Sequence, residues 1–153
     1  MADPSKDFDQ TNSRTRLAEI GEIFHLLGTD SNKNIRIIVE QTCKILNGSC
    51  SFYNRIDDKN KSLVVWAGHN KPDGFEDQFD RHGHICWEAT IKGKDKPVIL
   101  PDLESTTFFT TDPYVQKYHL KSYLGFPVRL NESAIGSLCI VDLKKRSFSD
   151  DEI

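Results

Sequence analysis

Apolar residues at helical spacing begin the patterned part of the chain. The first stripe recurs at intervals of three and four positions and consists of Leu17, Ile20, Phe24 and Leu27. Gly28 follows and supplies a C-terminal stop. Because the stripe is narrow, like a coiled-coil seam, we expect one edge to pack on the domain and the other to pair in a homodimer. The preceding residues, 1–14, are polar, and we expect a disordered lead-in there.

A second stripe predicts a second helix. Asp30 or Ser31 can cap its start, and Asn47-Gly48 ends it. One face of this helix would carry Ile35, Ile38, Val39, Thr42, Cys43 and Leu46.

Alternating and β-branched segments then predict strands. Residues 50–56 and 62–67 are typical of a hairpin. Residues 122–130 and 134–142 form two stronger strands, joined by a polar turn at 131–133. The last of these is almost continuously apolar, which is typical of a central strand covered on both faces.

The middle of the chain is irregular. We expect a long loop at 68–83, a short helix at 85–91 and a short strand at 97–100. Residues 102–113 look irregular again, and 114–120 could form one or two helical turns. The order of elements predicts an α+β fold with a mainly antiparallel sheet.

The C-terminal residues carry a helix start signal. Ser149 and Glu152 have the spacing of a capping box, and Phe148 and Ile153 occupy the hydrophobic-staple positions around it. We therefore expect residues 15–153 to be a single domain, truncated at the start of its C-terminal helix and excised from a larger protein.

Composition narrows the class of protein. The chain has 153 residues, 37% of them hydrophobic and 28% charged, which suits one globular domain. Its net charge of -3 argues against nucleic acid as a partner. The sequence has no apolar run of membrane-spanning length and no signal-peptide pattern, so we expect a cytoplasmic location. The four cysteines favour free buried thiols over disulfides or a metal, and they are Cys43, Cys50, Cys86 and Cys139.

Several stretches resemble the GAF family of sensor domains, over roughly Leu17 to Ile153. The resemblance is carried by residues 96–102, 112–114, 122–128, 135–142 and 146–149, and by the segment from Cys86 to Ile91. It implies a five- or six-stranded antiparallel sheet of the GAF/profilin-like type. Helices would lie on one face, and loops and short helices would enclose a pocket on the other. It also implies a homodimer, and an output domain of histidine kinase or diguanylate cyclase type in a signalling system such as a two-component system.

Aromatic and polar residues cluster where that pocket should lie. The candidates are Cys86, Trp87, Thr90, Asp102, Phe108, Phe109, Tyr114, Tyr118 and Tyr123. Aromatic rings there could stack on a ligand and hydroxyls could orient it, or the same residues could simply close a small core. These candidate residues do not indicate a particular cofactor. Cys86 would be a redox-sensitive thiol if it faces the cavity and its pKa is lowered.

Catalytic and metal chemistry are the minor hypotheses. Cys86 and His84 could form a nucleophile–base pair, or the chain could resemble the free methionine sulfoxide reductases among GAF proteins. His69, His82, His84 and Cys86 include donors that zinc or haem could use, but their spacing matches no established pattern. We expect neither an enzyme nor a metal site.

Two ligand classes of related domains fit poorly. The stretch that would carry a bilin-binding cysteine, 114–120, has none. The cyclic-nucleotide motif lacks its Asn-Lys pair before Phe148, and helix capping already explains Asp151 and Glu152. The sequence therefore favours a regulatory sensor that binds a small molecule or senses redox state, with a ligandless dimerisation module as the alternative.

Overall fold

The two N-terminal helices follow the apolar stripes. The computed structural model describes residues 4–93 and 95–153. Helix α1 spans Pro4–Leu26 and helix α2 spans Ser31–Ile45. Asp30 caps α2, because its carboxylate accepts the N–H groups of Asn32 and Lys33 at 3.0 and 3.1 Å.

Helix α1 starts earlier than the sequence pattern indicates. It contains most of the stretch 1–14 for which the sequence predicted disorder, and residues 1–3 lie outside the described residues. Pro4 occupies the first helical position, where its missing N–H costs nothing. The next sixteen residues contain neither glycine nor proline, so no strong helix breaker interrupts the first four turns.

Six strands form one sheet in the order β3-β2-β1-β6-β5-β4. Every neighbouring pair is antiparallel. The strands are β1 Cys50–Asp57, β2 Ser62–His69, β3 Gln78–Asp80, β4 Val98–Leu100, β5 Ser122–Leu130 and β6 Ser133–Asp142. The predicted α+β fold with an antiparallel sheet is confirmed, and β6 is central, between β1 and β5.

One strand was missed. β3 lies inside the predicted loop 68–83 and pairs with β2, with Leu63 opposite Phe79. Only Phe79 of its three residues is apolar, so the segment has no alternation long enough to reveal a strand.

Helices cover one face of the sheet, called here the helix face. Val39 of α2 packs against Tyr53 and Ala67, and Cys43 packs against Leu124 and Ile140. The Ser51 hydroxyl donates to the Val39 carbonyl at 2.8 Å and fixes α2 to β1. Helix α1 lies against α2, and its apolar stripe remains exposed: Leu17 is 67% exposed and Phe24 is 71% exposed.

Short helices and loops cover the opposite face, called here the loop face. They are a π-helical turn at Cys86–Ile91, a 3₁₀ turn at Leu103–Ser105, α3 at Phe108–Thr111 and α4 at Pro113–Lys117. The stretch 102–113 is therefore more ordered than expected. Ile85, Leu103, Val115 and Leu120 from this layer join strand residues in the largest apolar cluster.

The C-terminal residues form a 3₁₀ turn at Asp150–Glu152. The Ser149 N–H donates to the Glu152 carboxylate at 2.8 Å, as the capping-box spacing predicts. Glu152 also pairs with Arg146, and it lies 3.7 Å from Arg16 of α1. The C-terminal turn is thus in contact with the middle of α1. Among the described residues, no helix is both long and apolar enough to cross a membrane.

Candidate functional site

A small cavity of about 40 Å³ lies between the loop layer and the sheet. The strands contribute Phe52, Asn54, Phe79, Tyr123, Cys139 and Val141 to its wall, and the loop layer contributes Phe75, His84, Ile85, Cys86, Asp112, Tyr114 and Leu120. A space of this size has room for a few water-sized molecules at most. The predicted pocket therefore exists at the predicted face, but as an almost filled space.

A buried polar pair holds the loop layer together. His84 Nδ1 lies 3.0 Å from Asp112 Oδ1, and the two side chains are only 8% and 7% exposed. Asp112 also accepts the N–H groups of Ile85 and Tyr114, each at 2.9 Å. One carboxylate thus joins the start of the π-helical turn to the start of α4, and its polar contacts offset the cost of its burial.

Gly83 allows this approach. Its φ is 83°, and a Cβ built on it would lie 2.7 Å from the Thr111 carbonyl oxygen. A larger residue would therefore separate His84 from Asp112 and would also strain the backbone.

An aromatic cluster closes the outer side of the cavity. Phe75 stacks on Phe52 with ring centroids 4.7 Å apart, and Tyr114 meets Phe75 edge-on at 4.9 Å. Tyr118 lies 5.2 Å from Tyr114, and its hydroxyl donates to the Gly74 carbonyl at 3.1 Å. The loop before β3 is therefore part of the site, since it supplies the ring that touches the sheet.

Two thiols lie on the inner wall. The Cys86 and Cys139 sulfur atoms are 3.8 Å apart, and the Asn54 amide donates to Cys86 at 3.3 Å. The Tyr123 hydroxyl lies 2.7 Å from the Thr90 hydroxyl and 3.7 Å from the Cys86 sulfur.

The hydrogen bonds around Cys86 change its acidity. The Cys139 thiol, followed by the Tyr123 hydroxyl, lowers the pKa of Cys86 from 9.0, although burial opposes the shift. The pKa of Cys139 is raised well above 9.0, because it donates to Cys86 and is buried. Both conditions set from the sequence for a redox-sensitive Cys86 are met: its thiol faces the cavity and its pKa is lowered.

Three of the nine candidate residues line the cavity, and four more lie in the layers that surround it. Cys86, Tyr114 and Tyr123 line it. Thr90 is fully buried behind Tyr123 and bonds to its hydroxyl. The other three pack against the surrounding apolar cluster, and they are Phe108, Phe109 and Tyr118.

Trp87 and Asp102 lie elsewhere. The Arg81 guanidinium covers the Trp87 ring at 4.2 Å, so this indole packs under a cation. Asp102 accepts the Glu104 N–H at 3.1 Å and pairs with Lys145 at 2.9 Å. It therefore caps the 3₁₀ turn at Leu103–Ser105 and does not line the cavity.

Sequence reasoning missed several cavity residues. Asn54 and Cys139 belong to strands, and Phe75 and Phe79 belong to a segment predicted as a loop. Strand alternation could have found Asn54, since it lies on the same side of β1 as Phe52. The contact between Asp112 and His84 could not be predicted without the structure, because 28 positions separate the two residues in the sequence.

The histidines and acids do not converge on an ion site. Within residues 4–93 and 95–153, no three His, Cys, Asp or Glu side chains are grouped as a metal ion would require. His84 is engaged with Asp112, whereas His82 lies 3.8 Å from Glu88 at the surface.

Solved structures share this arrangement. A GAF domain from a phosphoenolpyruvate-protein phosphotransferase of Coxiella burnetii superposes with a TM-score of 0.72 at 17% identity, covering 92% of this chain and 85% of that chain. A free methionine-R-sulfoxide reductase from Neisseria meningitidis, in complex with its substrate, gives 0.65 at 12% identity over 99% and 83%. A domain of a putative two-component sensor histidine kinase from Sinorhizobium meliloti 1021 gives 0.60 at 10% identity over 81% of each chain.

At such low identities these likenesses establish the fold alone. A comparison with curated proteins found no match. The sequence model of the GAF domain family matches residues 30–153, from the cap of α2 to the last residue. With the six-stranded sheet, its two unlike faces and this match over most of its length, the chain belongs to the GAF domain family.

Proposed function

We propose that this domain is a cytoplasmic regulatory sensor within a larger signal-transduction protein, rather than an enzyme. Family membership and fold support a regulatory sensor in general. The finer proposal is that the loop-face cavity receives the signal, as a small molecule or as a change in redox state. The terminal helices of a homodimer then pass it to an output domain of kinase or cyclase type.

One observation carries the proposal: a thiol of lowered pKa faces a cavity between the loop layer and the sheet. Its partners come from β1, β5 and β6, so a change at Cys86 acts directly on three strands. A reactive group at the junction of a loop layer and a rigid sheet suits an input site.

The contacts behind the sheet suit an output. Ser51 of β1 bonds to the α2 backbone at 2.8 Å. Asn34 of α2 holds both the N–H and the carbonyl of Gly28, at 2.9 and 2.8 Å, and so fixes the connection to α1. A signal that favours one position of α2 would therefore also bias α1.

A ligand larger than a few waters requires the loop layer to move outward. Tyr114 and Phe75 are the side chains that would have to give way, since they close the cavity from outside. Binding would then be coupled to a rearrangement of α4 and of the loop before β3.

Hydrogen exchange on the purified, reduced protein tests the proposal. A metabolite library is first screened for compounds that raise the melting temperature, because a ligand of the folded state stabilises it. Exchange is then compared with and without each hit, and before and after mild oxidation. We expect altered protection in the π-helical turn and in α1 and α2. Changes confined to the loop face would contradict the relay.

A second function, a ligandless dimerisation module, is favoured by a different observation. The apolar stripe of α1 is exposed, and the cavity is nearly filled. In that case no compound or oxidant alters exchange in α1, while light scattering still shows a dimer. The third alternative, a reductase, predicts reduction of free methionine sulfoxide that Cys86→Ser abolishes.

A further inference from the structure

The geometry points to a reversible disulfide between Cys86 and Cys139, formed by hydrogen peroxide, as the redox form of the input site; this rests on the proposed sensor function. The two sulfur atoms are 3.8 Å apart, whereas a disulfide needs about 2.0 Å. The gap is small enough to close by side-chain rotation and a slight shift of the π-helical turn that begins at Cys86. Such turns are frequent at functional sites.

The two thiols differ in the way that a nucleophile and a resolving thiol should. Cys86 lines the cavity and has the lowered pKa, so it supplies the thiolate. Cys139 is only 2% exposed and keeps its proton, and it donates that proton towards Cys86. Burial raises the pKa of Cys50 to about 12 and also raises that of Cys43, which makes both poor nucleophiles.

The surroundings suit a small oxidant. The cavity of about 40 Å³ is lined by both cysteines and admits a molecule of peroxide size, but not one as large as glutathione disulfide. The Asn54 amide donates to both sulfurs, at 3.3 Å to Cys86 and 3.9 Å to Cys139. Ser137, two residues before Cys139 on the same side of β6, is fully buried, and its hydroxyl also helps to lower the pKa of Cys86.

The chemistry proceeds in two steps. The Cys86 thiolate attacks one peroxide oxygen, the O–O bond breaks, and hydroxide leaves and is protonated to water, giving a sulfenic acid at Cys86. The Cys139 sulfur then attacks the Cys86 sulfur, the S–O bond breaks, and the hydroxyl leaves as water with the Cys139 proton. The protein loses two protons and two electrons, and the peroxide is reduced to two molecules of water.

The bond would connect the two faces of the sheet. Cys139 lies in β6 directly before Ile140, which packs against Cys43 of α2 on the helix face. Drawing the Cys86 segment onto β6 also removes the two thiols as acceptors of the Asn54 amide. Oxidation therefore acts on the central strand that both layers contact.

Peptide mapping of the unmutated protein is the direct test. The reduced protein is treated with a small excess of hydrogen peroxide, its remaining thiols are blocked, and it is digested without reductant. We expect one cross-linked peptide pair joining Cys86 to Cys139, an intact mass lower by two hydrogen atoms, and full reversal by dithiothreitol. Free Cys86 and Cys139 after peroxide treatment, or a bond from either residue to Cys50 or to another chain, overturn the inference.

Matched variants identify the order of the steps. Cys139→Ser should keep a sulfenic acid at Cys86, trapped by dimedone, and Cys86→Ser should leave Cys139 unreacted. Cys50→Ser is the control, because Cys50 is equally buried, and this variant should still form the cross-link. Should the variants fail to fold, the map of the unmutated protein still decides.

The outcome separates this inference from the proposed function. If the disulfide does not form but a small molecule alters exchange in α1 and α2, the redox inference is wrong and the sensor function stands. If the disulfide forms and α1 and α2 do not respond, the bond is real and the relay to the helices is wrong.

Discussion

On the helix face, α2 meets the sheet mainly through apolar side chains, such as Val39 against Tyr53 and Ala67, with one buried hydrogen bond from Ser51 to its backbone. On the loop face, short segments far apart in sequence meet through buried polar groups, His84 with Asp112 and Thr90 with Tyr123. The helix face also carries an open apolar groove of about 190 Å³ between α2 and the sheet, whereas the loop face encloses only about 40 Å³.

The difference shows how each layer is specified. Apolar contacts between a helix and a sheet tolerate small shifts, because they have no direction. Buried hydrogen bonds require one geometry, and a missing partner is costly. The loop face should therefore be the more sensitive to single substitutions and the more responsive to a chemical change.

The strongest test of that difference is Asp112→Ala. It leaves His84 and the N–H groups of Ile85 and Tyr114 buried without their acceptor. We expect the free energy of unfolding to fall by about 3 kcal/mol, measured by urea titration.

Asp102→Ala is the matched control for this change. Asp102 also caps a short helical turn, but on the rim, so its loss should cost about 1 kcal/mol. Equal losses for the two variants would show that burial of the polar pair does not set the stability of the loop face.

Much of the fold could be predicted from the sequence where a regular period runs long enough. The stripe from Ile35 to Leu46, the alternation in β1 and the nearly continuous apolar run of β6 each gave an element at the right place. β3 could not be found, since three residues carry no period. Helix α1 begins near Pro4 although its first turns lack an apolar stripe.

The site was predictable only in part. Aromatic and thiol residues near the middle of the chain identified Cys86, Tyr114 and Tyr123. The partner of Cys86 could not be inferred, because Cys139 is 53 positions away in the sequence. The two thiols meet only once β6 has paired with β1 and the loop layer has packed on the sheet. The sequence placed Asp102 in the pocket, but its side chain instead accepts a hydrogen bond from Lys145.

The next prediction concerns the hydroxyl pair under the loop layer. Tyr123→Phe leaves the fully buried Thr90 hydroxyl without its partner at 2.7 Å, and should cost about 2 kcal/mol of unfolding free energy. Thr90→Val alone should cost a similar amount, and the double variant less than the sum, by about 1 kcal/mol. Chemical unfolding of the four proteins measures the coupling.

Tyr123→Phe should also raise the pKa of Cys86, because the Tyr123 hydroxyl is one of the groups that lowers it. Alkylation of Cys86 at neutral pH would then be slower. Tyr53→Phe makes the same chemical change on the helix face and should leave this rate unchanged. A rate that responds equally to both variants would mean that the two faces are not chemically separate.

A smaller effect is expected on the outer side of the helix face. Phe24 is 71% exposed, so Phe24→Ser should change the unfolding free energy of one protomer by less than about 0.5 kcal/mol. If α1 pairs two protomers, the same substitution should weaken dimerisation about tenfold, or about 1.4 kcal/mol, in sedimentation equilibrium. His25→Ser, at the next exposed position, is the control. An unmutated protein that stays monomeric at high concentration contradicts the dimer.

The smallest effect belongs to the rim of the loop face, where charges are exposed. Hydrogen bonds from Lys121 and Lys145 lower the pKa of Glu104 to about 2. Because this folded pKa is depressed, its contribution to stability is fully present above the unfolded value of about 4.3 and is lost as pH falls towards 2. Salt should weaken it, since the pair is open to solvent.

NMR titration of the Glu104 carboxyl group measures this pKa directly. Lys145→Ala removes one of the two donors and should move the midpoint upward, towards the unfolded value. Lys144→Ala removes a neighbouring charge that does not donate to Glu104 and should move it far less. Equal shifts in the two variants would mean that general charge, rather than the two hydrogen bonds, sets the acidity. The interactions of Glu104 would then be non-directional, unlike the buried hydrogen bonds of Asp112, and no single substitution on the rim would abolish them.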